Sequence, residues 1–376
     1  MQRTFASVYK ALERVVINVE GLIQLLTQQV FQQGQLEFQG YAIFALDHTP
    51  YPRKNAPTVA DRGYVHGADG TVVGHQYSLL GRVMHETGAW IGICDCERIS
   101  TDRTPTQVGA EQIARLSRNS TRKCIITADS EYACHDILEK ASETAMILVR
   151  LRSNRTLYKR PLPRKRGQRG PHRKHGRKIS FKDQRTMGKP DKAIHIDTDD
   201  GGGIEVVIFS DLHLKSNPKV NGSLILVQAF LPDACFKYNQ PMWLFWTGPL
   251  DMDWQCFWRV YLKRFCIESA NQFAKNSLAW TPARLGYTLR EERWSWLAML
   301  AYCQLHLAID LANDARMPWQ KPMPQGRPPT PARVQRDYFR IFAMVGTPVL
   351  PPKPRGYSSG RRRGYRPKPR LRIPVV

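Results

Sequence analysis

Tyr261, Arg264, Glu268 and Lys275 stand at spacings of three, four and seven in the stretch YLKRFCIESANQFAK. At 100° per residue they fall within about 60° of arc on one helical face. A carboxylate flanked by a phenol, a guanidinium and an ammonium suits a site that handles phosphodiesters, because the cations match phosphate oxygens while the carboxylate takes a metal ion. A solvated, salt-bridged helix stripe is the plain alternative. Two other carboxylates bear on the choice. Asp47 closes the apolar stretch YAIFALD and Asp129 closes CIITAD. Either alone reads as a turn or cap aspartate. If those two strands lie side by side, both carboxylates converge at one sheet edge, and a helix packed over the sheet delivers Glu268 to the same place. Three converging carboxylates fit Mg²⁺ or Mn²⁺, and a pair of such ions about 4 Å apart activates an attacking hydroxyl and stabilises a leaving oxygen.

The rest of the chain must supply that sheet and helix. Residues 1 to about 36 place Val8, Leu12, Val15, Val16, Val19, Leu22 and Leu26 around one face of a short helical lead-in. Strands follow at 41–47, 72–84 and 90–99, with a turn signal at Asp69-Gly70. A helix at 104–118, a strand at 124–129, a helix at 132–141 and a strand at 145–151 complete a β-β-β-α-β-α-β order. Arg150 to Lys178 then combines dense Lys and Arg with Pro and Gly and does not read as core. Four strands come next, at 193–197, 204–214, 223–231 and 241–248, with turns expected at Asp200-Gly201-Gly202 and Asn221-Gly222. One long helix is expected from Met252 to about Leu278, and another from Thr288, where Thr288-x-x-Glu291 forms a capping box. The end, PPKPRGYSSGRRRGYRPKPRLRIPVV, reads as a basic disordered tail.

These residues carry a resemblance. The element order, Asp47 and Asp129 at strand ends, and Glu268 on a helix after an inserted β region resemble a DDE transposase with the ribonuclease-H-like fold. Tyr261-x2-Arg264-x3-Glu268-x6-Lys275 is similar to the Y-R-E-K signature of a large group of bacterial insertion-sequence transposases. A four-position match arises by chance in roughly 0.2% of chains this long. The strings DHTPYPR, DRGYVHG, VGHQYS, ADSEY and LVRLRSNR resemble the same group, and the likeness covers about residues 41–312. The resemblance implies an α/β fold, a ribonuclease-H-like mixed sheet flanked by helices, with a β-rich insertion between the second Asp and the Glu. It implies cut-and-paste transposition, with Asp47, Asp129 and Glu268 holding two Mg²⁺ or Mn²⁺ ions and Tyr261, Arg264 and Lys275 gripping DNA near the scissile phosphate. Members usually carry a helical DNA-binding domain first, whereas only about 40 residues precede Asp47 here. A truncated copy, a start at an internal methionine, and binding through the basic insertion and tail all account for this.

The implied division is a lead-in at 1–40, the first part of the catalytic core at 41–152, the basic loop and β-rich insertion at 153–250, the helical second part of the core at 251–315, and a partly disordered Pro/Arg-rich extension at 316–376. A formal charge of +24 over 376 residues predicts a polyanionic partner. Nucleic acid comes first and an anionic membrane second, and the resemblance implies double-stranded DNA at transposon ends and target, bound by a homodimer. Arg164, Lys165, Arg166, Arg173 and Lys174 are the candidate DNA contacts of the loop. The N-terminus has no signal-peptide stretch, and Trp294–Ala312 contains Gln304, His306 and Asp310, which argues against a bilayer span. A cytoplasmic, nucleoid-associated protein is expected, with its eight cysteines reduced.

Rival readings remain. Phe209-Ser-Asp-Leu-His-Leu214 looks like the first metal motif of calcineurin-like phosphoesterases, with Asp211 and His213 as ligands, but the later motifs of that fold are missing. Asp197, Asp199 and Asp200 before three glycines read as a hairpin turn in preference to a metal loop. A truncated or domesticated transposase that only binds DNA through its basic segments is a third class. Trp243 and Trp246 suit either base stacking or core packing, and alternation turns one of them inward.

Overall fold

The computed structural model describes residues 5–67, 70–120, 122–141, 144–164, 166–167, 169–197, 202–229, 241–346, 363–366 and 371–376. Asp69, Lys165, Asp199, Asp200 and the tail stretch from Lys353 to Arg362 lie outside the described residues.

Helices α1 (Phe5–Arg14) and α2 (Val19–Gln33) lead in. They are followed by β1 (Glu37–Phe38), β2 (Tyr41–Pro52), β3 (Gly63–Gly67), β4 (Gly70–Val83), β5 (Ile91–Ile99), α3 (Pro105–Asn119), β6 (Cys124–Ala128), α4 (His135–Ala141) and β7 (Met146–Arg150). Next come β8 (Thr156–Lys159), β9 (Lys178–Ser180), β10 (Lys192–Asp197), β11 (Gly203–Leu214), β12 (Asn217–Ala229) and β13 (Met242–Trp246). Helices α5 (Trp254–Leu262), α6 (Phe265–Ser277), α7 (Thr288–Leu307) and α8 (Pro331–Val345) close the order.

One large mixed sheet organises the molecule. Its hydrogen-bonded order is β3-β4-β2-β6-β7-β13-β12-β11-β8-β9, with β5 beside β4. Strands β2, β4 and β5 form an antiparallel meander, while β6 and β7 run parallel to β2. That meander plus parallel pair, flanked by helices, is compatible with the expected ribonuclease-H-like sheet. The later strands prolong the same sheet, since β13 pairs antiparallel with β7 through Trp246 and Leu148.

Alternation along β2 assigns its two faces. Phe44 meets Phe31 of α2 at 5.5 Å between ring centroids. Leu46 lies under Gly109 of α3, where an added Cβ would stand 2.9 Å from Leu46 Cδ2 and 2.9 Å from the Tyr132 ring. The odd-numbered residues from Asp47 onward face the opposite layer, built from α6 and α7. Helix α3 is started by Thr104, whose side chain accepts from Gln107 N while Gln107 reaches back, with Pro105 at the first helical position.

Several local expectations change. The first strand runs on to Pro52 and does not stop at Asp47. The helix expected over 252–278 is two helices, because Arg264 N, Cys266 N and Ile267 N bond back three residues and tighten the chain there into a 3₁₀-type turn. The expected capping box is absent: Tyr287 is the N-cap, without a side-chain bond, and Glu291 points into the core. The turn between β11 and β12 falls at Lys215–Ser216. Asn221-Gly222 instead lies inside β12 beside a register shift, where Asn221 Nδ2 donates to Asp211 Oδ1 at 2.8 Å and Asp211 takes a positive φ of 54°. Part of the Arg150–Lys178 run is core after all, since Leu157 of β8 is fully buried and pairs with Ile179 of β9. The C-terminal stretch is ordered at its end: Ile373 N donates to Pro57 O and Val376 N to Arg62 O.

Candidate active site

Strands β2 and β6 pair in parallel from Ala42/Cys124 to Ala45/Thr127 and then part. Asp47 stands two residues beyond the last pair, and Asp129 directly follows β6. Both carboxylates therefore sit where the parallel pairing of β2 and β6 ends, Asp129 past the end of β6 and Asp47 within β2 just beyond its last β6 partner, the kind of crevice where α/β sheets place ligands. Asp129 also serves its turn, accepting from Glu131 N at 2.6 Å. Asp47 remains paired with Leu79 of β4, which holds its backbone rigid.

Helix α6 lies along the odd-numbered face of β2 and runs in the same direction. Arg264, at its N-cap, reaches Asp47 Oδ1 at 3.9 Å and donates to Glu268 Oε1 at 2.5 Å. Two turns on, Lys275 Nζ donates to Thr49 Oγ1 at 2.5 Å. Further along, Tyr51 donates to Trp280 O at 2.9 Å, and Arg53 donates to Thr281 O at 2.7 Å. Residues 47, 49, 51 and 53 thus read out successive points of one helix and the chain that follows it.

The tight turn before α6 explains the position of Tyr261. Hydrogen bonds spanning three residues eclipse side chains i and i+3, so the Arg264 guanidinium stands over the Tyr261 ring at 5.8 Å. Tyr261 is only 2% exposed. Burial raises its pKa, against the lowering effect of Arg264 and Arg150.

The electrostatics centre on Asp47. Burial pushes its carboxyl up to about 7; the Arg264 cation opposes this, and the negative charges of Glu268 and Asp129 add to it. The side chain is 17% exposed, that of Arg264 8% and that of Glu268 44%. Burial works against the Arg264 cation, yet Tyr261, Glu268 and Asp47 together hold its pKa above the ordinary value. Burial lowers Lys275 to about 8, with Asp47 resisting. The cost at Asp47 comes first from burial, and a hard cation at the carboxyl would relieve it. The donor set is all oxygen, as Mg²⁺ or Mn²⁺ prefers. Among the described residues no three acidic, histidine or cysteine side chains are gathered as a preformed metal cluster. Arg264 occupies the space between Asp47 and Glu268.

Of the residues singled out in the sequence, Asp47, Glu268 and Tyr261 gather around Arg264, Lys275 lies two turns beyond Glu268 against Thr49, and Asp129 is near enough for its charge to act on Asp47. The structure does not bring the basic loop to them. Arg164, Arg166, Arg173 and Lys174 are exposed between β8 and β9, five strand spacings or about 24 Å across the sheet from β6. Trp243 and Trp246 are both buried; Trp243 stacks on Phe181 at 4.3 Å, and Trp246 donates to Pro249 O. Neither offers a face to a base. His213 is buried within β11 against His175, while Asp211 bonds Asn221.

Two sets of residues escaped the sequence reading. Thr49, two places after Asp47, anchors Lys275, and period-two alternation from Asp47 would have pointed to it. The second set is Arg53, His75 and Glu291. Arg53 Nε donates to Glu291 Oε1 at 2.5 Å, and His75 Nδ1 bonds Glu291 Oε2 at 2.8 Å, all three side chains being buried. The strings DHTPYPR and VGHQYS thus serve as scaffold: Arg53 and His75 fasten α7, and Tyr51 and Tyr77 pack edge to face with each other and around Trp280.

Residues 94–200 match the family described as DDE superfamily endonuclease. This supports a DDE-type transposase or endonuclease, as the sequence resemblance had it. The matched stretch, a little over a quarter of the chain, runs from β5 past β10 and includes Asp129. Asp47 and Glu268 lie outside it and join the DDE-type region only through the geometry described above. No curated protein matches the chain. DDE-type endonucleases generally use divalent metals and act on DNA. No helix among the described residues is long and apolar enough to cross a membrane.

Proposed function

We propose that this chain is a DDE transposase that cleaves and rejoins DNA strands in cut-and-paste transposition of an insertion sequence. The observation that carries the reading is the convergence on Arg264: Asp47 and Glu268 flank one guanidinium, and Asp129 acts on the same Asp47 carboxyl. In this reading Asp47, Asp129 and Glu268 hold Mg²⁺ or Mn²⁺, which supplies an activated nucleophile and charge stabilisation at the leaving oxygen. Arg264 and Lys275 hold phosphate oxygens, the first through a planar fork and the second as a point charge. Tyr261 is buried beneath Arg264 and positions that guanidinium without touching DNA itself. Arg264 releases Glu268 when substrate phosphate competes for its donors. Cutting two transposon ends needs two such sites, which favours a homodimer on DNA in the nucleoid.

The test is nicking of supercoiled plasmid and of end-containing duplexes with Mg²⁺ or Mn²⁺. Asp47→Asn and Glu268→Gln should each abolish cleavage while the protein still binds DNA. Cleavage at the native rate by either variant would remove these carboxylates from the chemistry. DNA binding by the native chain without metal-dependent cleavage would instead favour a domesticated DNA-binding protein.

A further inference from the structure

Beyond Lys275, the strand and helix that carry the carboxylates run on into a groove of about 860 Å³. One wall is Pro52–Thr58, continuing β2, and the other is Thr281–Gly286, continuing α6. Arg53 stitches the walls together at the floor by donating to both Pro52 O and Thr281 O. Lys54, Arg284 and Arg372 line the groove, all exposed, and no acidic residue does. None of the three cations has an ion pair or hydrogen bond among the described residues. Arg372 is brought there by the chain's end, because Ile373 N donates to Pro57 O and Arg62 donates back to Ile373 O at 2.6 Å.

Three unpaired cations in an acid-free groove select a polyanion. The spacing identifies which part of it. Pro52 lies five strand residues past Asp47, about 17 Å at 3.3 Å per residue, and Ser277 lies nine helical residues past Glu268, about 14 Å. At 3.4 Å of duplex axis per phosphate of one strand, a duplex whose axis follows β2 brings the groove about four phosphates from the carboxylates. We propose that this groove is a second DNA subsite, which holds the sugar-phosphate backbone of the duplex about four phosphates from the reacting bond. The inference rests on the nuclease reading for its origin of distance, but not for its ligand chemistry.

The experiment measures binding of a 30-base-pair duplex against salt, together with interference by ethylated phosphates. The triple variant Lys54→Ala, Arg284→Ala, Arg372→Ala should lower the slope of log K against log salt by about 2.7, at about 0.9 per contact. Across a tenfold rise in salt, the native chain should therefore lose about 500-fold more affinity than the variant. Ethylation about four phosphates from the cut should block the native chain and not the variant. The charge-keeping variant Lys54→Arg, Arg284→Lys, Arg372→Lys should retain the native slope, and deletion of 371–376 should lower it by about 0.9. An unchanged slope in the alanine variant, or an equal fall in the charge-keeping one, overturns the subsite. Competition by a mononucleotide as strong as by duplex would also overturn it, showing a small-anion pocket. Repeating the triple alanine change in an Asp47→Asn, Glu268→Gln background separates the two readings: the slope should again fall by about 2.7 relative to that background if the groove acts as proposed, whether or not the native chain cleaves DNA.

Discussion

Asp47→Asn should stabilise the metal-free protein above neutral pH, and the amount follows from the site. The Asp47 carboxyl is pushed from an ordinary value of 3.8 up to about 7, first by burial. In acid below about 4, folded and unfolded chains are both protonated there, and the substitution changes little. As pH rises from about 4 to about 7, the unfolded chain releases the proton while the folded chain keeps it. Stability then falls by up to about 1.4 kcal/mol per pH unit. Above pH 7 the loss is complete, at a ceiling of about 4 kcal/mol. Asparagine resembles the protonated acid in shape and has no proton to lose. Urea unfolding in the presence of a chelator should show native and variant proteins nearly equal at about pH 3, with the variant ahead by up to about 4 kcal/mol at pH 8. Added Mg²⁺ should narrow the gap by stabilising only the native protein, by about 2.7 kcal/mol at a hundred times its dissociation constant. A variant less stable than the native chain at pH 8, or a gap independent of pH, would show that Asp47 is not held as a strained anion.

Two other perturbations test the frame and the distant basic loop. Glu291→Ala leaves the Arg53 and His75 side chains buried without their shared carboxylate, so it should cost about 3–5 kcal/mol in urea unfolding; a loss under 1 kcal/mol would mean water replaces the carboxylate. Replacing Arg164, Arg166, Arg173 and Lys174 together by alanine should lower the salt slope of duplex binding by up to about 3.6. Ethylation interference near the cut should not change, since the loop lies far across the sheet, and an unchanged salt slope would free the loop from any DNA role.

What the sequence made legible was the alternation and spacing that work at short range. Apolar runs located β5, β6, β7, β11 and β13 to within a residue or two, and the ends of CIITAD and YAIFALD pointed to Asp129 and Asp47. The extent of β2 was hidden because HTPYP reads as loop. Beyond Ala45 the strand loses its β6 neighbour and becomes an edge on that side, and prolines are tolerated at such edges. Glu291 was misread for a related reason. Its spacing from Thr288 satisfies a local capping pattern, but buried Arg53, just past β2, and His75 of β4 bond the same carboxylate, and a charge-assisted bond out of water outweighs a solvated cap. Nothing in the residues around Glu291 alone could reveal side chains contributed more than 200 residues earlier.

The break between α5 and α6 shows the same limit at the site itself. No glycine or proline marks it, and the apolar period continues through it, so the stripe from Tyr261 to Lys275 reads as one helix. The three-residue hydrogen bonds at Lys263 and Arg264 instead turn Tyr261 directly beneath Arg264. The consequence is functional. On a straight helix Tyr261 would share the outer stripe with the cations and could reach DNA; on the broken one it is buried and holds the guanidinium between Asp47 and Glu268. Arg264 Nε is itself buried without a hydrogen-bond partner, so the cation is fixed by ring packing and by carboxylates that other cations can claim. In the proposed reading such a group bridges Asp47 and Glu268 while its remaining donors stay open to a phosphate.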